Sequence, residues 1–279
     1  MKRYLFITWF IAAIVLAVDT TARAATQNDA QNKERAAALW EEAIRAKGGH
    51  ERLQSIQNLL ISSEIYTQSL KNDRTSNTET ERLYVMPDKA WIYTSTPDLR
   101  TSLDATVINF QHRFCMTTLS PPFLLTPCIP DVPLEYLLED PAIYLMETKW
   151  VRPQPLAARV EGKGKIDVIE TKVGSLRVDF YLDRETRLPI KLVTDWSAVK
   201  QAMTKSGFTT VKLEDYENVD GIMMPRRVIR EQQRTPDSEV SSRGSERARY
   251  RFNVAYNPTL FNSTVSPKVK RKDWMAAGS

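Results

Sequence analysis

The clearest strand pattern in the sequence lies in residues 176–189, which read LRVDFYLDRETRLP. Its apolar residues recur at every second position, namely Leu176, Val178, Phe180 and Leu182. Period-two alternation predicts an antiparallel strand with one buried face and one wetter face. The polar residues 183–186 predict a turn, after which Leu188-Pro189 begins a second strand.

The same alternation recurs on both sides of this segment. Trp91 and Tyr93 share one face of an earlier predicted strand, and Tyr250 and Phe252 share one face of the last. We expect these aromatic side chains to line the same inner face as Phe180. The sequence therefore predicts an α+β protein that is mainly antiparallel sheet.

Turn signals divide these strands without marking a domain boundary. Asp220-Gly221 predicts a two-residue hairpin because both positions tolerate positive φ. Residues 232–247 are polar and predict a hairpin loop. No repeat period or linker is visible, so we expect one domain over residues 25–262.

Helical patterns occur in two places. Apolar residues at helical spacing predict a helix over 33–47, which Gly48-Gly49 ends, followed by a short helix from His50. The proline-rich residues 115–155 predict a loop with one or two short helices, carrying Leu137 and Leu138, inserted between strands. We expect this insert to rest on the inner face of the sheet.

The first 24 residues resemble an export signal. A basic start, an apolar run of about 15 residues and Ala22-Arg23-Ala24 predict cleavage after Ala24. The run is shorter than the roughly 20 residues of a membrane-spanning helix, although an uncleaved anchor is the alternative. We therefore expect an exported, periplasmic protein.

The charge balance does not favour nucleic-acid binding. Without residues 1–24 the chain keeps 36 basic and 33 acidic residues, a net charge of +3. One basic cluster lies in the polar tail, residues 263–279, which we expect to be disordered. A role of this tail at an anionic membrane surface stays open.

Cys115 and Cys128 are the two cysteines of the chain. In an oxidising compartment, a closely spaced pair predicts one disulfide. Two unpaired buried thiols are the alternative.

No catalytic or metal-binding motif is visible. The chain has two histidines, His50 and His112, and neither shows the spacing of a zinc site. There is no nucleophile elbow and no phosphate-binding loop. We expect no metal, no cofactor and no enzymatic activity; a hydrolase whose site is assembled from distant segments is the alternative.

The apolar residues instead predict a ligand cavity between the sheet and the insert. The candidate lining residues are Trp91, Tyr93, Leu176, Val178, Phe180, Leu182, Tyr250, Phe252, Leu137 and Leu138. A long sheet covered by short, proline-broken helices can leave an apolar cleft. An ordinary packed core is the alternative for any one of these residues.

Several segments resemble the outer-membrane lipoprotein-sorting (LolA/LolB-like) proteins of the Gram-negative periplasm. They are Ala46-Lys47-Gly48-Gly49, the stretch from Phe180 to Pro189, the stretch from Asp215 to Pro225, and the stretch from Asn253 to Phe261. The resemblance spans most of residues 33–262. It implies an incomplete, half-open β-barrel with a helical lid that holds acyl chains. In the sorting carriers an arginine on the sheet helps to hold the lid closed, and no single residue here matches it.

Two functions follow from this interpretation. The first is a periplasmic carrier or binding protein for a lipid, a lipoprotein acyl chain or another hydrophobic ligand. The alternative is a non-enzymatic envelope sensor or assembly factor that binds a protein partner.

Overall fold

The computed structural model describes residues 30–95, 103–109, 114–119, 124–127, 146–147, 153–173, 176–196, 207–235 and 238–261. The predicted export signal, the tail, His112, Leu137, Leu138 and the pairing of Cys115 with Cys128 lie outside the described residues or side chains. Among the described residues, no helix is both long enough and apolar enough to cross a membrane.

Two helices precede the sheet: α1 spans residues 30–47, and α2 spans His50–Ser55. The strands are β1 (Asn58–Ser69), β2 (Thr75–Val85), β3 (Lys89–Ser95), β4 (Leu103–Asn109), β5 (Phe114–Leu119), β6 (Leu124–Pro127), β7 (Gln154–Glu161), β8 (Ile166–Val173), β9 (Leu176–Asp183), β10 (Pro189–Asp195), β11 (Phe208–Val219), β12 (Ile222–Gln233) and β13 (Val240–Phe252). Short 3-10 turns lie at Gly162–Gly164 and Pro258–Phe261.

In the described part of the chain, these 13 strands form one antiparallel sheet. Its order is β6-β5-β4-β3-β2-β1-β13-β12-β11-β10-β9-β8-β7. The sheet is therefore two meanders, β1–β6 and β7–β13, joined where β1 pairs with β13. Strands β6 and β7 lie at opposite ends of this order, so the sheet is open, as a half-barrel requires.

The turn chemistry of the sequence sets the hairpins. Asp220 and Gly221 both have positive φ, 50° and 82°, and join β11 to β12 as predicted. The turn after β9 is held by the Asp183 carboxylate, which accepts hydrogen bonds from the backbone N–H of Thr186 at 2.8 Å and of Glu185 at 3.1 Å. Local side-chain bonds of this kind favour turns over continued strand.

The two faces of the sheet carry separate apolar clusters. The larger one includes α1, Phe180 and Tyr250, and we call the face that it covers the inner face. The smaller one lies on the opposite, outer face, where Leu260 and Phe261 pack over it. Its sheet residues are Leu60, Leu83, Val85, Trp91 and Tyr93.

The predicted position of Trp91 and Tyr93 is wrong. Cross-strand pairing places Trp91 beside Leu83 on the outer face, whereas Ala90 and Ile92 belong to the inner face. The error arose because alternation groups residues within a strand but does not say which face of one strand continues which face of a distant one.

Two other predictions need correction. Residues 232–247 are not a loop, because β12 runs to Gln233 and β13 begins at Val240. Residues 114–127 include strands β5 and β6 rather than loop alone, and Pro127 is tolerated because β6 is an end strand. The predicted helices of the insert fall outside the described residues.

Candidate functional site

Helix α1 packs on the inner face of the second meander. The indole of Trp40 meets the ring of Phe180 edge-on, with centroids 5.1 Å apart and planes at 85°. Phe180 is wholly buried. The predicted residues Leu176, Val178 and Leu182 are also wholly buried in this cluster.

Ion pairs from both halves of α1 fix this helix to the sheet. The buried Asp167 carboxylate of β8 accepts hydrogen bonds from Arg35 of α1 at 3.1 Å and from Arg184 and Arg187 of the β9–β10 turn, both at 2.8 Å. Arg187 also pairs with Glu42 of α1 at 2.9 Å. Burial alone would raise the pKa of Asp167, but the arginine hydrogen bonds hold that pKa below its ordinary value. Asp167 therefore stays ionised as the centre of the anchor.

The C-terminal end of α1 buries a lysine. Lys47 donates a hydrogen bond to the carbonyl oxygen of Met223, and its Nζ lies 5.2 Å from the centre of the Tyr216 ring. The side chain is wholly buried, and desolvation lowers the pKa of Lys47 to about 7. The next residue, Gly48, has a φ of 136°, and an added Cβ would meet the Gly221 carbonyl at 2.6 Å. Glycine thus lets α1 end directly against the β11–β12 hairpin.

Beyond α1, the inner face changes character along the strands. Four rows of paired residues cross β13, β1, β2 and β3 on this face. The first row is Phe252, Leu59, Tyr84 and Ala90, and the second is Tyr250, Ile61, Arg82 and Ile92. The third row is Ala248, Ser63, Thr80 and Thr94, and the fourth, on the first three strands, is Glu246, Ile65 and Thr78. The first row is apolar or aromatic and the last two are mostly polar. The inner face therefore passes from apolar to polar over four rows.

A buried charged network forms the polar end. Glu246 is wholly buried and pairs with both Arg82 and Arg230. Arg82 also donates a hydrogen bond of 3.0 Å to the Ser63 hydroxyl. The oxygen of that hydroxyl lies 2.7 Å from the hydroxyl oxygen of Thr80. Burial alone would raise the pKa of Glu246, but the two guanidinium groups lower it to about 2.

Among the three charged side chains of this network, that of Arg230 is the most exposed to solvent. The side chain of Arg230 keeps 19% of its surface exposed, against 8% for Arg82. Both guanidinium groups contact the Glu246 carboxylate. Because a guanidinium is a hydrogen-bond donor, the exposed part of Arg230 suits an anionic or polar group better than a cationic one.

Of the predicted cavity residues, six lie together on the inner face. Tyr250 is buried and Phe252 is partly buried beside the four wholly buried residues of β9. Trp91 and Tyr93 stack at 6.1 Å in the outer cluster and do not join them.

Sequence reasoning missed the polar residues of the inner face and Lys47. Glu246 keeps the period-two phase of Tyr250, so the alternation of the last strand places it inward. Arg82 keeps the phase of Tyr84, but Leu83 and Val85 alternate in the opposite phase, so the pattern of β2 alone predicts the wrong inner face. Charged residues in phase with apolar ones were the available signal, because such residues are rarely buried unless paired.

His50 joins three segments next to this site. Its Nε2 lies 2.8 Å from Glu41 of α1, and its Nδ1 lies 3.4 Å from Glu147. Glu147 and the wholly buried Met146 belong to the connection between β6 and β7. The hydrogen bond with Glu41 raises the pKa of His50. The described part of the connection is thus held against α2 by a charge-assisted contact.

Several solved structures of bacterial proteins have a fold similar to that of this chain. They include a LolA-superfamily protein from Nitrosomonas europaea and an outer-membrane lipoprotein-sorting protein domain from Vibrio parahaemolyticus, both with a TM-score of 0.52. Their sequences are 12% and 14% identical to this chain, and the matches cover 81% of this chain and 96% and 97% of theirs. A DUF1329 family protein from Desulfovibrio piger matches at a TM-score of 0.50 and 10% identity, over 81% of this chain and 96% of its own. The sequence matches no family model and no curated protein.

Proposed function

Since the chain has the fold of LolA-superfamily proteins, we propose that it is a periplasmic binding or carrier protein for a lipid, a lipoprotein acyl chain or another hydrophobic ligand. The ligand lies against the inner face of β1, β2, β3 and β13. The proposed activity is binding without a catalytic step.

The apolar-to-polar gradient of the inner face is the observation that carries this proposal. An acyl chain has apolar length and a polar end, and the rows from Phe252 to Glu246 offer both in that order. Ile92 and Phe252 are partly buried apolar side chains packed against the inner cluster, so they flank the surface that a chain would contact.

The energetics of acyl chains suit such a surface. Each buried methylene contributes about 0.8 kcal/mol, so half a fatty chain gives useful affinity without a specific polar contact. The partly exposed guanidinium of Arg230 then favours a carboxylate, phosphate or carbonyl end over a cationic one.

Titration of a dansyl-labelled fatty acid into the mature chain, residues 25–279, tests the proposal. We expect saturable binding that Ile92→Asp weakens at least about tenfold, because the acyl chain must desolvate a carboxylate on the second row, where Ile92 lies beside Arg82. Leu70→Asp is the matched control, since Leu70 is 41% exposed in the turn after β1. Circular dichroism confirms that both variants fold.

Two outcomes contradict the proposal. One is the absence of saturable binding by the wild-type chain. The other is an equal loss of affinity in both variants, because the probe would then be binding away from the inner face.

A further inference from the structure

The outer face carries an arginine-rich groove that the inner-face ligand does not use. It has a volume of about 690 Å³ and runs over β1, β11, β12 and β13. Its charged lining residues are Arg226, Arg227, Arg247, Arg249, Glu64 and Asp215. Two further carboxylates, Glu214 and Glu217, lie next to Arg227 and Arg226, so the groove concentrates guanidinium groups without a net charge.

Two of these arginines have weak partners at the rim. Arg226 lies 3.4 Å from Glu217, and Arg227 lies 3.2 Å from Glu214. The arginine side chains are 62% and 48% exposed, so water and salt screen both pairs. A phosphate group can therefore compete with these carboxylates for the two guanidinium groups.

The other two arginines of the lining, Arg247 and Arg249, are exposed and can contact a ligand. Within the described part of the chain, neither Arg247 nor Arg249 has an ion-pair partner. The sheet register places Arg249 opposite Ser62 of β1, whose short side chain leaves the guanidinium exposed, and places Arg247 opposite Glu64, which also lines the groove. Both arginines lie two residues apart on β13, so they share the outer face.

Exposed apolar side chains lie beside the groove. Tyr66 is 49% exposed and pairs across the sheet with Ser245, which also lines the groove. Leu70, at the end of the same hairpin, is 41% exposed. Tyrosine beside arginine is typical of surfaces that contact the head-group region of a bilayer.

We propose that this groove binds the phosphates of anionic phospholipid head groups, so that the outer face of the sheet docks on an anionic membrane surface. Guanidinium groups match phosphate oxygens with paired hydrogen bonds, and exposed arginines are attracted by the negative potential of the surface. This goes beyond ligand binding, because it uses the opposite face of the sheet and leaves the inner face free to hold its ligand.

Vesicle flotation with the mature chain tests this docking. The vesicles contain phosphatidylcholine alone or phosphatidylcholine with phosphatidylglycerol. We expect phosphatidylglycerol-dependent binding that is strong at low salt and weak at high salt. Arg247→Gln/Arg249→Gln is expected to reduce the partition coefficient about 30-fold.

The matched control removes the same charge elsewhere. Lys163→Gln/Lys165→Gln changes two exposed residues of the β7–β8 turn, and we expect it to leave vesicle binding within about twofold of the wild-type chain. The arginine variant should also keep its uptake of the dansyl-labelled fatty acid, which separates docking from the proposed ligand site.

Three results would overturn the docking proposal. The first is flotation that does not depend on phosphatidylglycerol. The second is an equal loss in both double variants, which would indicate general charge attraction. The third is saturable binding of soluble glycerol phosphate without any binding to vesicles, which would make the groove a site for a free phosphate compound.

Discussion

Two parts of the same inner face are stabilised by different kinds of contact. Under α1, the sheet presents Leu176, Val178 and Phe180, and Trp40 packs directly on them. A few strands away, the face presents Arg82 and Glu246, which are just as inaccessible to water. The first part is held by apolar contact, whereas the second depends on every charge having its partner.

This difference means that the two parts respond differently to change. An apolar contact can be trimmed at a cost that scales with the lost volume. A buried charge that loses its partner instead keeps its full desolvation penalty. Substitutions at the two parts should therefore differ in size and in pH dependence.

The largest expected effect is at Glu246. Glu246→Ala leaves Arg82 and Arg230 buried without their shared carboxylate, and we expect the free energy of unfolding in urea to fall by about 3–5 kcal/mol. Glu64→Ala, an exposed glutamate on the outer face of β1, should change it by less than about 0.5 kcal/mol. Similar values for the two variants would show that the inner-face network is not a stabilising unit.

A pH-dependent effect is expected from Lys47. Because burial lowers its pKa from 10.5 to about 7, the folded chain binds fewer protons than the unfolded chain between these values. Stability linked to this group therefore rises with pH, by about 3 kcal/mol between pH 7 and pH 10. Lys47→Met should remove this rise in urea unfolding measured across that range, and an unchanged pH profile in the variant would contradict the burial of the amine.

A smaller effect is expected where α1 packs on the apolar part of the inner face. A double-mutant cycle of Trp40→Leu and Phe180→Leu should give a coupling energy of about 0.5–1.5 kcal/mol, because the two rings meet edge-on. A cycle of Trp40→Leu with Phe252→Leu is the control. Equal coupling in both cycles would mean that α1 does not rest specifically on Phe180.

The smallest effect concerns the contact between α2 and the connection. NMR titration of His50 should show a raised pKa, and Glu41→Gln should lower that pKa more than Glu147→Gln, since the Glu41 hydrogen bond is the main cause of the shift. The linked stabilisation is complete below the ordinary pKa of 6.5 and is lost as the pH rises through the raised value. Glu51→Gln in α2 is the control, and an equal response to all three substitutions would argue against the two-sided contact.

Much of the sheet could be predicted because period-two alternation and turn residues are local. The strand around Phe180, the Asp220-Gly221 hairpin and the Gly48-Gly49 helix end all depend on a few neighbouring residues, and all are confirmed. The resemblance to lipoprotein-sorting proteins added the half-open fold, which the solved structures support.

The composition of the inner face could not be predicted in the same way. Which face of β3 continues that of β9 depends on the pairing of β1 with β13, some 190 residues apart in sequence, so Trp91 was placed on the wrong side. The Arg82–Glu246 pair likewise forms across 164 positions. Alternation shows which residues of one strand share a face, but only the strand order shows which side of the sheet that face belongs to and what it meets there.

Native mass spectrometry of the mature chain, purified from the envelope without detergent, tests whether the protein carries a bound ligand when it is isolated. We expect adducts with the masses of lipids or acylated peptides, released on collisional activation and depleted in Ile92→Asp but retained in Leu70→Asp. A clean mass of the chain alone, together with no uptake of the dansyl-labelled fatty acid, would contradict a lipid-binding inner face.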